Sequence, residues 1–539
     1  MKRIIDAIGL PAMLACLLAP GLASSHEAYD HGDSGAQPPR ILGKVSFPTS
    51  CDPKVQGEIE RGVALLHSFW FAEGLKTFTS VAEQDPGCAI AQWGIAINRL
   101  LNPFNGEAGA TFVKRGQAAI EKARAIGAKT QRERDYIEAA ALLYTDVGTK
   151  RWTDRAVAYE QAMARVVQNY PDDVEAKVFY ALALNFAADL KDQTYAKQLK
   201  AAALLESLLP SHPDHPGIAH FLIHSYDYPP LAPKGLAAAR RYASIAPSAA
   251  HALHMPSHIF TRIGAWEDSA ATNVKSEQTA RAGSSIDEIL HAVDYQVYAY
   301  LQLARDTDAK NAIERAGRDA ARLPSIRPVG PFGQAAAPAR YALERGDWRS
   351  AAALPVKPTK VLYANAITHF ARAIGAARSG AAAAQADVTT LGELRDALVA
   401  AKNEYWAGQV EIQWLGASAW TAFAQGKRDE ALKLMREAAD KESASEKAPV
   451  SPGPILPARE LLGDLLLELG QPMLALKEYE ASQEREPNRF RGWYGAASAA
   501  AKAGDTAKAK TYYAKLAALA HAGESRPELQ QASRYLAVR

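Results

Sequence analysis

A 34-residue echo constrains this chain more than any other feature. Ala475 and Ala509 stand 34 residues apart, and so do Tyr479 and Tyr513. A unit that starts at Leu456 has Gly463 at position 8, Ala475 at 20, Tyr479 at 24 and Pro487 at 32. The next unit, from Phe490, has Trp493 at 4, Ala497 at 8, Ala509 at 20 and Tyr513 at 24. Small residues at 8 and 20 let two helices approach closely. The aromatic at 24 fills the gap between pairs, and the proline closes the second helix. Gly62, Gly74, Phe78 and Pro86 keep this spacing in a unit that starts at Val55. A period of this length means stacked helix pairs, each packed on its neighbours.

This spacing is the tetratricopeptide pattern, so the expected fold class is all-α, a right-handed superhelical solenoid. The 539 residues are 48% hydrophobic and 22% charged, which suits a folded chain. Helical periodicity runs through 131–145, 153–169, 174–188, 194–208, 216–227, 234–245, 250–263, 267–281, 285–304, 308–322, 361–379, 405–425 and 428–441. Two proline-rich stretches, 323–335 and 445–457, cannot continue a helix. The first is expected to separate a solenoid at 51–322, with a histidine-lined groove, from a second at 336–539. The second stretch could fold across the groove.

The N-terminus reads as an export signal over 1–25, with Lys2 and Arg3 before an apolar run from Ile8 to Ala23. Asp6 fits that reading poorly, and Cys16 offers a lipid-anchored alternative. A periplasmic or secreted location follows from the signal. Residues 26–50 lack periodicity and read as a flexible arm. His26, third after a cut behind Ala23, could chelate copper there, with His31 nearby. No later stretch has 18 uninterrupted apolar residues, so no spanning helix is expected. Cys51 and Cys88 then form an even pair, read as a disulfide in an oxidising compartment, against two buried thiols.

Histidine sets the chain apart from a plain scaffold. Eight of its 13 histidines fall between His212 and His291. His220 and His224 are four apart, as are His254 and His258, so each pair lies on one helix face. The second pair follows the first by 34 residues. In units that start at Pro216 and Ala250, all four face the concave groove, on helices about 8–10 Å apart. Each pair is a clamp of the kind helical zinc sites use, and imidazole suits zinc and copper. Further site candidates are His67, Asp227, Arg262, His291, Asp294 and Tyr295. Asp227 or Asp294 could act as a base, Arg262 could hold an anion, and Glu73 could pair with His67. The alternatives are an organic or peptide site, or plain packing. Trp70, Phe71, Trp93 and Tyr298 read as core aromatics.

The segments HSFWFAEGLKTFTSVAEQDPGCAIAQWGIA, HFLIHSYDYPP, HMPSHIFTRIGAWEDS, HAVDYQVYAYLQ and SPGPILPARELLGDLLLELG resemble a family of secreted bacterial tetratricopeptide-repeat proteins. The resemblance covers nearly all of 50–520 and implies export and a solenoid, but no reaction. The family often has a histidine where this chain has Ala448. The formal charge of +3, from 62 basic and 59 acidic residues, gives no footprint for nucleic acid. No phosphate-cradling glycine loop, G-x-S-x-G elbow or H-E-x-x-H is present. Three functions remain: a transition-metal binder, a metal-free scaffold with a peptide, protein or small molecule in its groove, or a metal-dependent enzyme.

Overall fold

The computed structural model describes residues 40–325, 327–380 and 384–537. The expected signal, Cys16, His26 and His31 lie outside these residues. Among the described residues every regular element is helical, apart from an isolated bridge between Val147 and Lys150. Each of the periodic stretches above contains a helix. The 250–263 stretch is split into Ala250–His254 and Pro256–Arg262, because Pro256 has no N–H for the ladder.

The joints between pairs are built as the repeat requires. Phe78 lies against Gly62 of its own unit and Gly94 of the next. Tyr479 lies in the same way between Gly463 and Gly495. A Cβ at Gly62 would come within 2.7 Å of the Phe78 ring, and one at Gly463 within 2.8 Å of the Tyr479 ring. Both rings are fully buried, so each is a wedge that sets the angle between successive pairs.

Two expectations change. The 323–335 stretch does not divide two solenoids. The helix Val329–Glu344 begins inside it, and Gly333 lies directly on the Leu290 carbonyl. Pro331 is third in that helix, where its missing N–H costs nothing. Ile41–Arg539 therefore forms one compact unit. The later part of the expected arm is also packed rather than free. Leu42 is buried, and Phe47 stacks on Trp93 at 5.4 Å and meets Tyr136 edge-on at 5.3 Å. Neither has helical periodicity to announce it. Cys51 and Cys88 sit at disulfide distance beside this segment.

The solenoid also curls back on itself. Trp266 Nε1 donates to the Asn488 carbonyl (2.7 Å), and Asn488 Nδ2 donates to the Gly264 carbonyl (2.9 Å). The Phe490 N–H donates to Gln302 Oε1 at 3.0 Å. Units far apart in sequence thus meet.

Replacing Gly463 with Ala forces the trapped Tyr479 ring to shift. A loss of about 1–3 kcal/mol is expected in urea denaturation. Gly57→Ala, in the helix Gln56–His67 where an added Cβ meets nothing within 4 Å, is the control and should not destabilise.

Candidate metal centre

The helices Pro216–Tyr226 and Ala250–His254 begin 34 residues apart, as the repeat register demands. They bring His220, His224, His254 and His258 to one inner wall, where none is more than 4% exposed. Each four-residue step leaves its two Nε2 atoms 3.1 Å apart. Two nitrogens bound to one tetrahedral zinc at about 2.0 Å would lie roughly 3.3 Å apart.

Hydrogen bonds fix where the ring protons reside. His254 Nδ1 faces Asn273 Oδ1 at 2.6 Å, and Asn273 Nδ2 is committed to the Ser269 carbonyl at 2.8 Å. His254 therefore carries its proton on Nδ1. His258 Nδ1 faces the Asp227 carboxylate at 2.8 Å and carries its proton there too. Both Nε2 lone pairs then point at each other across 3.1 Å. That contact is repulsive unless a cation lies between them. In the first pair, His220 Nδ1 donates to the His67 carbonyl at 2.6 Å, which leaves its Nε2 bare. His224 Nδ1 has no partner.

Each pair gains a third imidazole from the first helix of the next repeat unit. The nitrogens of His220, His224 and His251 lie within 4.8 Å of one another, and so do those of His254, His258 and His291. The four histidines read from sequence thus do not meet at one point. His291 belongs with the second pair. His251 was missed, although its position three residues before His254 puts it on the same broad face. The two sets adjoin, with ring centroids 5.9 Å apart for His224 and His258 and 6.0 Å apart for His251 and His254. A small cleft reaches both sets past Phe69, Phe71, Asn102 and Asn105.

Asp227 is not a free base. Its carboxylate accepts from His258 Nδ1, from Arg262 Nε (3.0 Å) and from Lys447 Nζ (2.9 Å). Burial pushes its carboxyl up, but Lys447, Arg262 and His258 outweigh burial and hold it well below the ordinary range. Arg262 is not a surface charge or an anion clamp. It is 3% exposed and spent on Asp227, with Glu446 and Glu486 nearby. Asp294 likewise pairs with Arg340 at 2.9 Å. Lys447 belongs to the 445–457 stretch, which does cross the wall. Tyr295 Oη donates to the carbonyls of Pro449 (3.0 Å) and Ser451 (3.1 Å). Arg340 donates to those of Gly453 (2.8 Å) and Pro454 (2.6 Å). The Ala448 side chain is buried in this strap.

His67 lies beside the wall rather than far along the solenoid. Its Nε2 meets Glu175 Oε2 at 2.7 Å, and His215 Nε2 meets Glu175 Oε1 at 2.7 Å. Glu175, and not Glu73, is the partner of His67. In the third cluster of this kind, His67, Glu175 and His215, both imidazole Nε2 atoms are taken up by the Glu175 carboxylate, while His67 Nδ1 has no partner. The cluster also holds the His67 carbonyl that orients His220.

Burial keeps the wall uncharged. It lowers His220, His224, His254 and His291 well below the ordinary imidazole value, and neighbouring imidazoles add to the effect. Burial also lowers His258, to about 4, against the pull of Asp227. A proton shared between facing Nε2 atoms is thus disfavoured, and neutral imidazoles are what metals require.

No protein-family model matches the chain, and no curated protein does. Solved structures share a distant likeness. A human IFIT1 dimer with m7Gppp-AAAA is 11% identical, with 80% of this chain and 90% of that chain covered, at a TM-score of 0.39. The APC/C hetero-tetramer Cut9-Hcn1 is 11% identical, with 89% of each chain covered, at 0.34.

Asp227→Ala should leave Arg262 and Lys447 buried without their anion. The expected loss is about 3–5 kcal/mol in chemical denaturation, while Asp268→Ala on the exposed surface changes stability by under about 0.5 kcal/mol.

Proposed function

We propose that this protein binds a transition metal, zinc or copper, on its inner wall through His220, His224, His254 and His258. The observation that carries the reading is the pair of bare Nε2 atoms of His254 and His258, held 3.1 Å apart while both ring protons are pinned on Nδ1. A metal ion resolves that contact and uses both lone pairs. Asn273, Asp227 and the His67 carbonyl act as the outer partners that hold ligating imidazoles in one tautomer. A metal-dependent reaction is the second reading, favoured by the cleft that reaches His224 and His258 from outside. The metal-free scaffold finds less support. A peptide on this wall would have to displace the strap and its Lys447–Asp227 pair.

The same reading takes the protein as exported, periplasmic or secreted. The apolar N-terminal run and the Cys51–Cys88 pair at disulfide distance support it.

Protein purified without an affinity tag should bind zinc or copper stoichiometrically and tightly. Elemental analysis should find no metal in the His220→Ala/His254→Ala double variant. Metal-free protein whose melting temperature is unchanged by added zinc and copper would sink the reading. For export, thiol titration of the denatured native protein should detect no free thiol from Cys51 and Cys88.

A further inference from the structure

We infer that the wall holds two metal ions, one on His220, His224 and His251 and the other on His254, His258 and His291, with a small anionic donor bridging them from the cleft. This rests on the metal-binding reading above and adds the number of ions and the class of exogenous ligand.

The first argument is partition. One nitrogen from each residue of a set converges within 4.8 Å, and each set joins a four-residue pair to one histidine of the next repeat unit. His251 turns to His220, with ring centroids 5.1 Å apart, while His254 turns to His291 at 4.2 Å. One short helical stretch, 250–262, therefore serves both sets. A single ion could not satisfy six imidazoles spread in this way, because tetrahedral sites take four ligands.

The second argument is the open position. Each set offers three protein ligands, the number found at metal sites that keep a place for an exogenous molecule. The cleft is lined by His224 and His251 from the first set and by His258 and His291 from the second. A donor entering there meets both sets at once. Asn102 and Asn105, on the same cleft, offer amides to a polar guest.

The third argument is charge. None of the six imidazoles brings a negative charge. Of the nearest carboxylates, Asp227 serves His258, Arg262 and Lys447, and Glu288, which lines the cleft, is shared with Arg327 at 2.6 Å. Glu288 stands 3.8 Å from His251. Two divalent ions in this buried place bring more positive charge than Asp227 and Glu288, each already paired with cations, offset. A small anion of the hydroxide class supplies counter-charge and completes both coordination spheres.

The test uses the full chain, stripped of metal and titrated with zinc alone. Two equivalents are expected, with His251→Asn and His291→Asn each retaining one. Circular dichroism of the variants checks that they remain helical. Loading with copper(II) gives a readout that needs no variant. A bridged pair should lose most of the electron paramagnetic resonance signal that the one-copper variants show. Azide should then saturate at one per two coppers in an absorption titration. A single equivalent, abolished by either substitution, overturns the two-ion arrangement and leaves metal binding standing. Two ions with additive spectra, or one azide per copper, overturn the bridge. No bound metal at all sinks the proposed function itself, and the inference with it.

Discussion

The carboxylate of Asp227 is the junction on which the interior depends. A buried anion is expensive unless its lone pairs are filled, and a lone ion pair would not fill them. Here three donors converge, two of them cationic. They come from different parts of the chain. His258 belongs to the inner wall, Arg262 lies one turn further on, and Lys447 lies 220 residues away in the strap. One side chain thus sets an imidazole tautomer, neutralises a buried guanidinium and seals the groove. Such networks act as units in a low dielectric, so the wall and its cover are mechanically one object.

The legible parts of the sequence were those a period can fix. The repeat gave the register of Gly62, Phe78, Gly463 and Tyr479, because wedge and socket recur at set distances. It also aligned His220 with His254 and His224 with His258. What it could not give was partition. Whether His251 faces His224 or His254 depends on the rotation of one helix between two others, and pattern does not encode that rotation. Arg262 read as a holder for an anionic ligand because its four-residue step from His258 shows nothing of the acids around it. Its burial depends on Asp227, Glu446 and Glu486, which no local spacing connects. Asp294 failed as a base for the same reason, since Arg340 is a long-range partner. The strap was half legible. Its prolines excluded a helix, but only the fold shows that it ends on Asp227.

The wall also explains how a tetratricopeptide-type solenoid tolerates so many buried polar rings. In an ordinary repeat the inner face meets solvent or a ligand, and its side chains remain hydrated. In this chain the curl and the strap remove that water. Burial disfavours the charged form of the imidazoles, and carbonyl, amide and carboxylate groups take up the Nδ1 protons of His220, His254 and His258. The His67–Glu175–His215 cluster extends the pattern outward, holding in place the carbonyl that receives His220.

The strap has a further consequence, in time rather than in space. A chain made from its N-terminus presents every residue of the histidine wall, through His291, long before Lys447 exists. Of the three donors to Asp227, His258 and Arg262 are local in sequence, and only Lys447 must come from the far end of the chain. The strap can therefore close over Asp227 only after every other part of the wall has been made, so sealing the groove is a late, long-range step.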